Sequence, residues 1–197
     1  MCGGARTLSP VPDAISRSRR RAEITRAAIR AFARGGYDGT TLADIAQAAG
    51  VSQPRISQIY GNKENAFLEA HAQAAETLTQ MIQARATPPF SAERMLAGYF
   101  DVVSQDPDSM MVIFRAFTSA SAVPRIGVDV RQVLGEVVDI VINGAGGTYA
   151  DALDFLGRCF TIYHVLAADL PGHVQESEHF AGVLEELRRG RDETPTD

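Results

Sequence analysis

From Ile24 onward the apolar residues of this chain return at three- and four-residue spacing, and the pattern is interrupted by glycine and proline. That period buries one stripe of a helix, whereas in a strand it would scatter apolar side chains over both faces. No alternating, β-branched segment bounded by hairpin residues competes with it. The chain is therefore constrained to an all-α fold, and the breakers count out about nine helices.

The first stripe is Ile24, Ala28, Ala31 and Phe32, ended by Gly35-Gly36, where a glycine can take a left-handed cap. Thr41-Leu42-Ala43-Asp44 reads as a capping box with Asp44 in place of Glu. It starts a second helix whose Ile45, Ala46 and Ala49 face inward until Gly50. After the short turn Gly50-Val51-Ser52, Ser52 is placed to cap a third helix beginning Gln53-Pro54-Arg55. Proline is tolerated there because first-turn N–H groups have no intrahelical partner. Asn62 is an N-cap for the next helix, and six helical stretches follow, over 63–86, 91–105, 108–121, 125–143, 148–170 and 175–189. Residues 1–18 are rich in Gly, Pro and Ser and read as a flexible basic arm ending in Arg17, Arg19, Arg20 and Arg21; residues 191–197 read as a frayed tail.

Charge divides unevenly along this pattern. The net charge is −5, but residues 1–63 hold ten Lys+Arg against four Asp+Glu, a balance of +6, and the remainder carries −11. A basic N-terminal module for a polyanion joined to an acidic body is the reading that follows. Cys2 and Cys159 lie far apart, which excludes a disulfide framework or a four-cysteine zinc site and points to a reduced, cytoplasmic setting. No apolar run reaches the roughly 20 residues of a membrane helix, and no signal-peptide core is seen, so no membrane partner is expected.

Two short helices about a glycine turn make a helix-turn-helix when the details agree. Ala46 is small where the helices cross, Gly50 permits the turn, and Ile56, Ile59 and Tyr60 give the third helix an inward stripe. Gln53, Pro54, Arg55, Ser57 and Gln58 must then point outward. These residue types read major-groove edges: arginine pairs with guanine O6/N7, glutamine with adenine N6/N7, and a proline ring packs on a thymine methyl.

The run from Ala27 to Phe67 resembles the N-terminal signature of the TetR family of bacterial transcriptional regulators. Ala28 and Phe32, Gly36-Tyr37, Thr40-Thr41, Asp44-Ile45-Ala46, Ala49-Gly50-Val51-Ser52 and Gly61-Asn62-Lys63-Glu64 carry the likeness. The resemblance implies a homodimer bound to a palindromic operator in double-stranded DNA, usually a repressor released by a small-molecule effector. It implies base contacts from Gln53, Pro54 and Arg55 and phosphate contacts from Thr41 and Lys63. Ser57 departs from the family, which usually has Tyr there, and Tyr60 takes the place of a common packing Phe. Lys63 has independent support: the sole lysine among 19 basic residues stands in a helix first turn, where a cation opposes the dipole unless a phosphate is near.

In the C-terminal body, Leu153, Leu156, Phe160 and Tyr163 form one stripe of the eighth helix, and Ala152, Phe155, Cys159, Ile162 and Leu166 form another. So wide an apolar arc needs two partners: its own domain and either the same helix of a second subunit, as the resemblance also implies, or a further face of a monomer's core. Leu153, Leu156, Gly157 and Phe160, with Phe180, Val183, Leu184 and Leu187 of the ninth helix, are the expected dimer interface. Met81, Phe100, Met110, Met111, Phe114, Phe117, Tyr163 and His164 lie on helices that, by the resemblance, surround an apolar effector pocket. The expected division is an arm over 1–18, a helix-turn-helix DNA-binding domain over 19–64, a ligand-binding and dimerisation domain over 65–190 and a tail over 191–197. The alternative is a DNA-binding dimer whose C-terminal domain senses a protein partner or no ligand.

Enzyme chemistry finds no support. Glu176-x-x-His179 is one half of a di-iron ligand pattern without its second half, and Gly144-Ala145-Gly146-Gly147 follows no strand and lacks a third fingerprint glycine. A phosphate-binding loop and a nucleophile elbow are both missing, so no cofactor or metal is expected.

Overall fold

The computed structural model describes residues 11–192. Among them the chain forms nine α-helices and no strand: α1 (Val11–Gly39), α2 (Leu42–Ala49), α3 (Gln53–Tyr60), α4 (Lys63–Gln83), α5 (Ala92–Gln105), α6 (Pro107–Ser119), α7 (Pro124–Asp139), α8 (Tyr149–Ala167) and α9 (Glu178–Asp192). A π-helical turn, Ile140–Gly144, extends α7, and a 3-10 helix, Leu170–Glu176, precedes α9. The all-α reading holds. Contacts group the chain into two units, one ending at Ala70 and the other beginning at His71.

The stops and starts follow from local chemistry. Gly36 leaves the helical region with φ 67° and ψ −175°, a conformation open to glycine, so α1 is broken there. The capping box is present: Thr41 Oγ1 accepts from Asp44 N–H at 3.2 Å, and Asp44 Oδ2 accepts from Thr41 N–H at 2.8 Å. Gly50 closes α2 in the left-handed conformation, φ 64°. Asn62 caps α4 by accepting from Asn65 N–H at 2.8 Å. Asp106 begins α6, and a second capping box, Thr148 with Asp151, begins α8.

Two local expectations differ. Ser52 stands at the start of α3, but its side chain makes no capping bond. α1 begins at Val11, so residues 11–18, read from composition as arm, are helical; the remainder of that arm and residues 193–197 of the tail lie outside the described residues, as does Cys2.

The first unit is built on Ile24, Ala28 and Phe32 of α1, Ile45 and Ala46 of α2, Ile56 and Tyr60 of α3, and Phe67 of α4, all buried. Phe67 is packed edge-on by Phe32 at 5.0 Å and Tyr37 at 5.3 Å between ring centroids. Between Glu23 and Arg34 the only exposed residues of α1 are Arg26, Arg30 and Arg34, so the basic excess of the sequence survives as a ridge in space.

The second unit packs α4 to α9 around Leu78, Ile82, Met95, Tyr99, Ile113, Phe155 and Ile162. The buried Tyr99 hydroxyl donates to the Cys159 carbonyl at 3.0 Å. His71 is buried, with Nδ1 2.8 Å from Asp129 Oδ2, joining α4 to α7. Arg94 donates to the carbonyls of Arg85 at 3.1 Å and Pro89 at 2.6 Å, pinning the proline-rich loop before α5.

Candidate nucleic-acid interface

The third helix is one of the shortest in the chain and the most divided in character. Ile56 and Tyr60 are buried, whereas Gln53, Pro54, Arg55 and Gln58 are exposed; Ser57 and Ile59 are half-buried. The expected outward set therefore stands on one surface, with Ser57 at its edge. Proline in the first turn leaves the helix intact because that position lacks an intrahelical acceptor. No acidic residue lies in α3, so the charge of Arg55 is not neutralised within its own helix. Its Nη1 donates instead to Gln58 Oε1 at 2.7 Å.

Tyr60 secures the helix from inside. Its hydroxyl is 3.4 Å from Thr25 Oγ1, and the Arg21 guanidinium lies 4.9 Å from its ring centroid. Burial pushes the Tyr60 phenol up. Arg21 also pairs with Glu69 through Nε and Nη2, and Thr25 donates to Glu69 at 2.9 Å. The sequence reading placed Tyr60 in the packing role but missed this Arg21–Glu69 pair, whose members carry no shared local pattern.

The two residues expected at phosphate are held by the protein itself. Thr41 is exposed, but its hydroxyl donates to Asp44 Oδ2 at 2.7 Å, and that bond together with the one from Thr41 N–H holds the Asp44 carboxyl below the usual carboxylate range. Lys63 is half-buried; its Nζ lies 4.6 Å from the Tyr37 ring centroid and donates to the Asp38 carbonyl at 3.3 Å. A cation on an aromatic face and one carbonyl keeps two of its three donors available.

In the second unit the expected pocket residues do not converge. An apolar cavity of about 40 Å³ is lined by Leu78, Ile82, Tyr99, Phe114, Phe117, Phe155, Cys159 and their neighbours. Of the expected set, Phe114 and Phe117 reach it. Tyr163 stacks on Phe114 at 3.7 Å, with its hydroxyl 3.9 Å from the half-buried Met111 sulfur. Met110 is buried in the core, and Met81 packs half-buried against it. Phe100 lines a separate groove with Ile162, Leu184 and Leu187. His164 is exposed, its Nδ1 2.6 Å from the Phe160 carbonyl, so it faces solvent and not the cavity.

The expected interface residues divide likewise. Leu153 of α8 is 74% exposed and Val183 of α9 39%, with Tyr149, one turn before Leu153 on α8, at 79%. A side chain at Gly157 would meet nothing within 4 Å, so this glycine has no packing duty inside its own chain. Leu156 and Phe160 instead line the cavity, Leu184 and Leu187 line the groove, and Phe180 is half-buried. Among the described residues no group of three or more His, Cys, Asp or Glu is placed to hold a metal, and no helix is long and apolar enough to cross a membrane.

Residues 24–70 match the family described as bacterial regulatory proteins, tetR family. A curated relative, the HTH-type transcriptional regulator BetI of Paraburkholderia phymatum, is 33% identical over 117 residues, 56% of this chain. The chain spans 59% of that relative's length. Among solved structures, a TetR-like transcriptional regulator from Rhodococcus sp. RHA1 superposes with a TM-score of 0.59 at 20% identity, covering 89% of this chain and 97% of that one. A TetR-family member from Streptomyces coelicolor A3 reaches 0.61 at 17% identity, covering 85% and 97%. The glycine-turned helix pair and the exposed polar third helix thus lie within the residues that match the tetR family of bacterial regulatory proteins, and the all-α body is similar in fold to these solved structures.

Proposed function

We propose that the protein is a sequence-specific transcriptional repressor that binds a palindromic operator as a homodimer in the cytoplasm and is released by a small apolar effector. The observation that carries DNA reading is the exposed face of α3, where Gln53, Pro54, Arg55 and Gln58 stand on a helix whose other side is locked into the core. Lys63 supplies a phosphate contact that positions this face without reading sequence. Residues 19–64 are the DNA-binding domain and 65–190 the ligand-binding and dimerisation domain in this reading. The exposed Leu153, Gly157 and Val183 support a second copy against α8 and α9, which a two-fold operator requires.

Release follows by linkage. An effector shifts binding only by its difference in affinity for the DNA-competent and DNA-incompetent forms. The second reading, a dimer whose body senses a protein partner or nothing, is favoured by one fact: a cavity of about 40 Å³ falls far below the 300–1,000 Å³ or so of a drug-sized site.

Footprinting on the DNA upstream of the protein's own gene tests the main reading. A protected palindrome is the expected result, and uniform protection of all sequences overturns it. Thermal shift against a panel of apolar molecules separates the two readings of the body.

A further inference from the structure

Arg55 and Gln58 are tied together on the reading surface. They are three residues apart on α3, both exposed, and the guanidinium Nη1 donates to the amide Oε1 at 2.7 Å. Residues at this spacing share one helix face. With no acid in α3 to compete, the amide oxygen is the acceptor that orients the guanidinium.

This bond has consequences for what each side chain can recognise. Arginine has five N–H donors in a planar fork, so after one is given to Gln58 enough remain for a bidentate pair with guanine O6 and N7. Glutamine reads adenine through both ends of its amide, accepting from N6 and donating to N7. With Oε1 already facing a cation, the N6 amino group of an adenine would meet a second donor and a positive charge at the same oxygen. We infer that Arg55 and Gln58 act as one guanine reader, in which Gln58 is a positioning residue for Arg55 and not an independent reader of adenine.

The inference rests on the DNA-binding reading, and one experiment separates their failures. The full chain selects sites from a randomised duplex library as wild type, Arg55→Ala, Gln58→Ala, Gln58→Glu and the double Ala variant. Preference at each base is read, so that a general loss of affinity from the charge in Gln58→Glu does not enter. Wild type is expected to enrich a guanine, and Gln58→Ala to weaken that preference about tenfold at the position Arg55→Ala abolishes. The double variant is expected to equal Arg55→Ala, and Gln58→Glu, which keeps the acceptor, to restore the preference to within about threefold. If Gln58→Ala leaves the guanine intact, or relaxes a different position, the pairing is overturned alone. If wild type enriches no sequence, the DNA-binding reading falls and the pairing with it. Both side chains are exposed, so unchanged circular dichroism is expected of every variant.

Discussion

Arg21 on α1 grips Glu69 on α4 through two hydrogen bonds across 48 residues of sequence, while its guanidinium covers the ring of Tyr60 at the end of α3. One arginine thus ties three helices of the first unit together.

This contact makes stability depend on pH. Burial pushes the Glu69 carboxyl up, but hydrogen bonds from Arg21 and Thr25 and the charge of Arg21 outweigh it, so the group titrates below its ordinary value. A carboxyl depressed in the fold stabilises it fully above the unfolded value, near pH 4.5, and the contribution disappears as pH falls through the folded value. Both partners are over a third exposed, so solvent screening limits the pair to about 1 kcal/mol. Urea midpoints at pH 7 and pH 3.5 should show wild type losing more on acidification than Glu69→Gln. Equal losses would contradict the pairing.

Gly36 sits in a region of backbone space that side chains rarely enter. Gly36→Ala is expected to destabilise the protein by about 1 to 3 kcal/mol. Gly39, three residues on, has no neighbour within 4 Å of an added Cβ, and Gly39→Ala should stay within about 0.5 kcal/mol. Calorimetry on the two variants tests the difference.

Lys63 and Arg55 should fail in different ways. Lys63→Ala is expected to weaken binding to all sequences alike and to lower the salt slope by about 1. Arg55→Ala is expected to lower operator affinity by about 1 to 3 kcal/mol with little effect on random DNA. Fluorescence anisotropy across a salt series measures both. A uniform loss for Arg55→Ala removes it from base reading.

Leu153→Glu places a charge on an exposed apolar position of α8. If the proposed dimer uses this face, sedimentation should find wild type as dimer and the variant as monomer, with the melting temperature little changed because the side chain is 74% exposed in the single chain. A dimer that survives the substitution moves the interface elsewhere.

The helix-turn-helix was legible because its signals are local. A capping box, a glycine at φ 64° and an Ile56–Tyr60 stripe each sit within a few residues of what they determine. The start of α1 was not legible: Val11, Ala14 and Ile15 do stand at helical spacing, but the proline, serines and arginines around them give residues 11–18 the composition of an arm. The cavity lining was legible only in part, at Phe114 and Phe117. Methionines and aromatics suit an adaptable pocket, but the face of α4 that meets α5 to α8 at the cavity carries Leu78 and Ile82. Leu184 and Leu187, read as facing a second subunit, pack beside Phe100 because α9 lies against α5 in the same chain. His164 turns to solvent because one residue past Tyr163, which stacks on Phe114, is a rotation of about 100° on a helix.

The 40 Å³ cavity has a further meaning for sensitivity. Under the proposed effector release, an occupant much larger than a water molecule needs a more open form of this aromatic-lined cavity, and so binds a minority form of the body. If the open form is populated at about 1%, the measured dissociation constant is about a hundredfold weaker than the intrinsic one. Responsiveness in that mechanism is then set as much by how seldom this aromatic cluster opens as by how well anything fits within it.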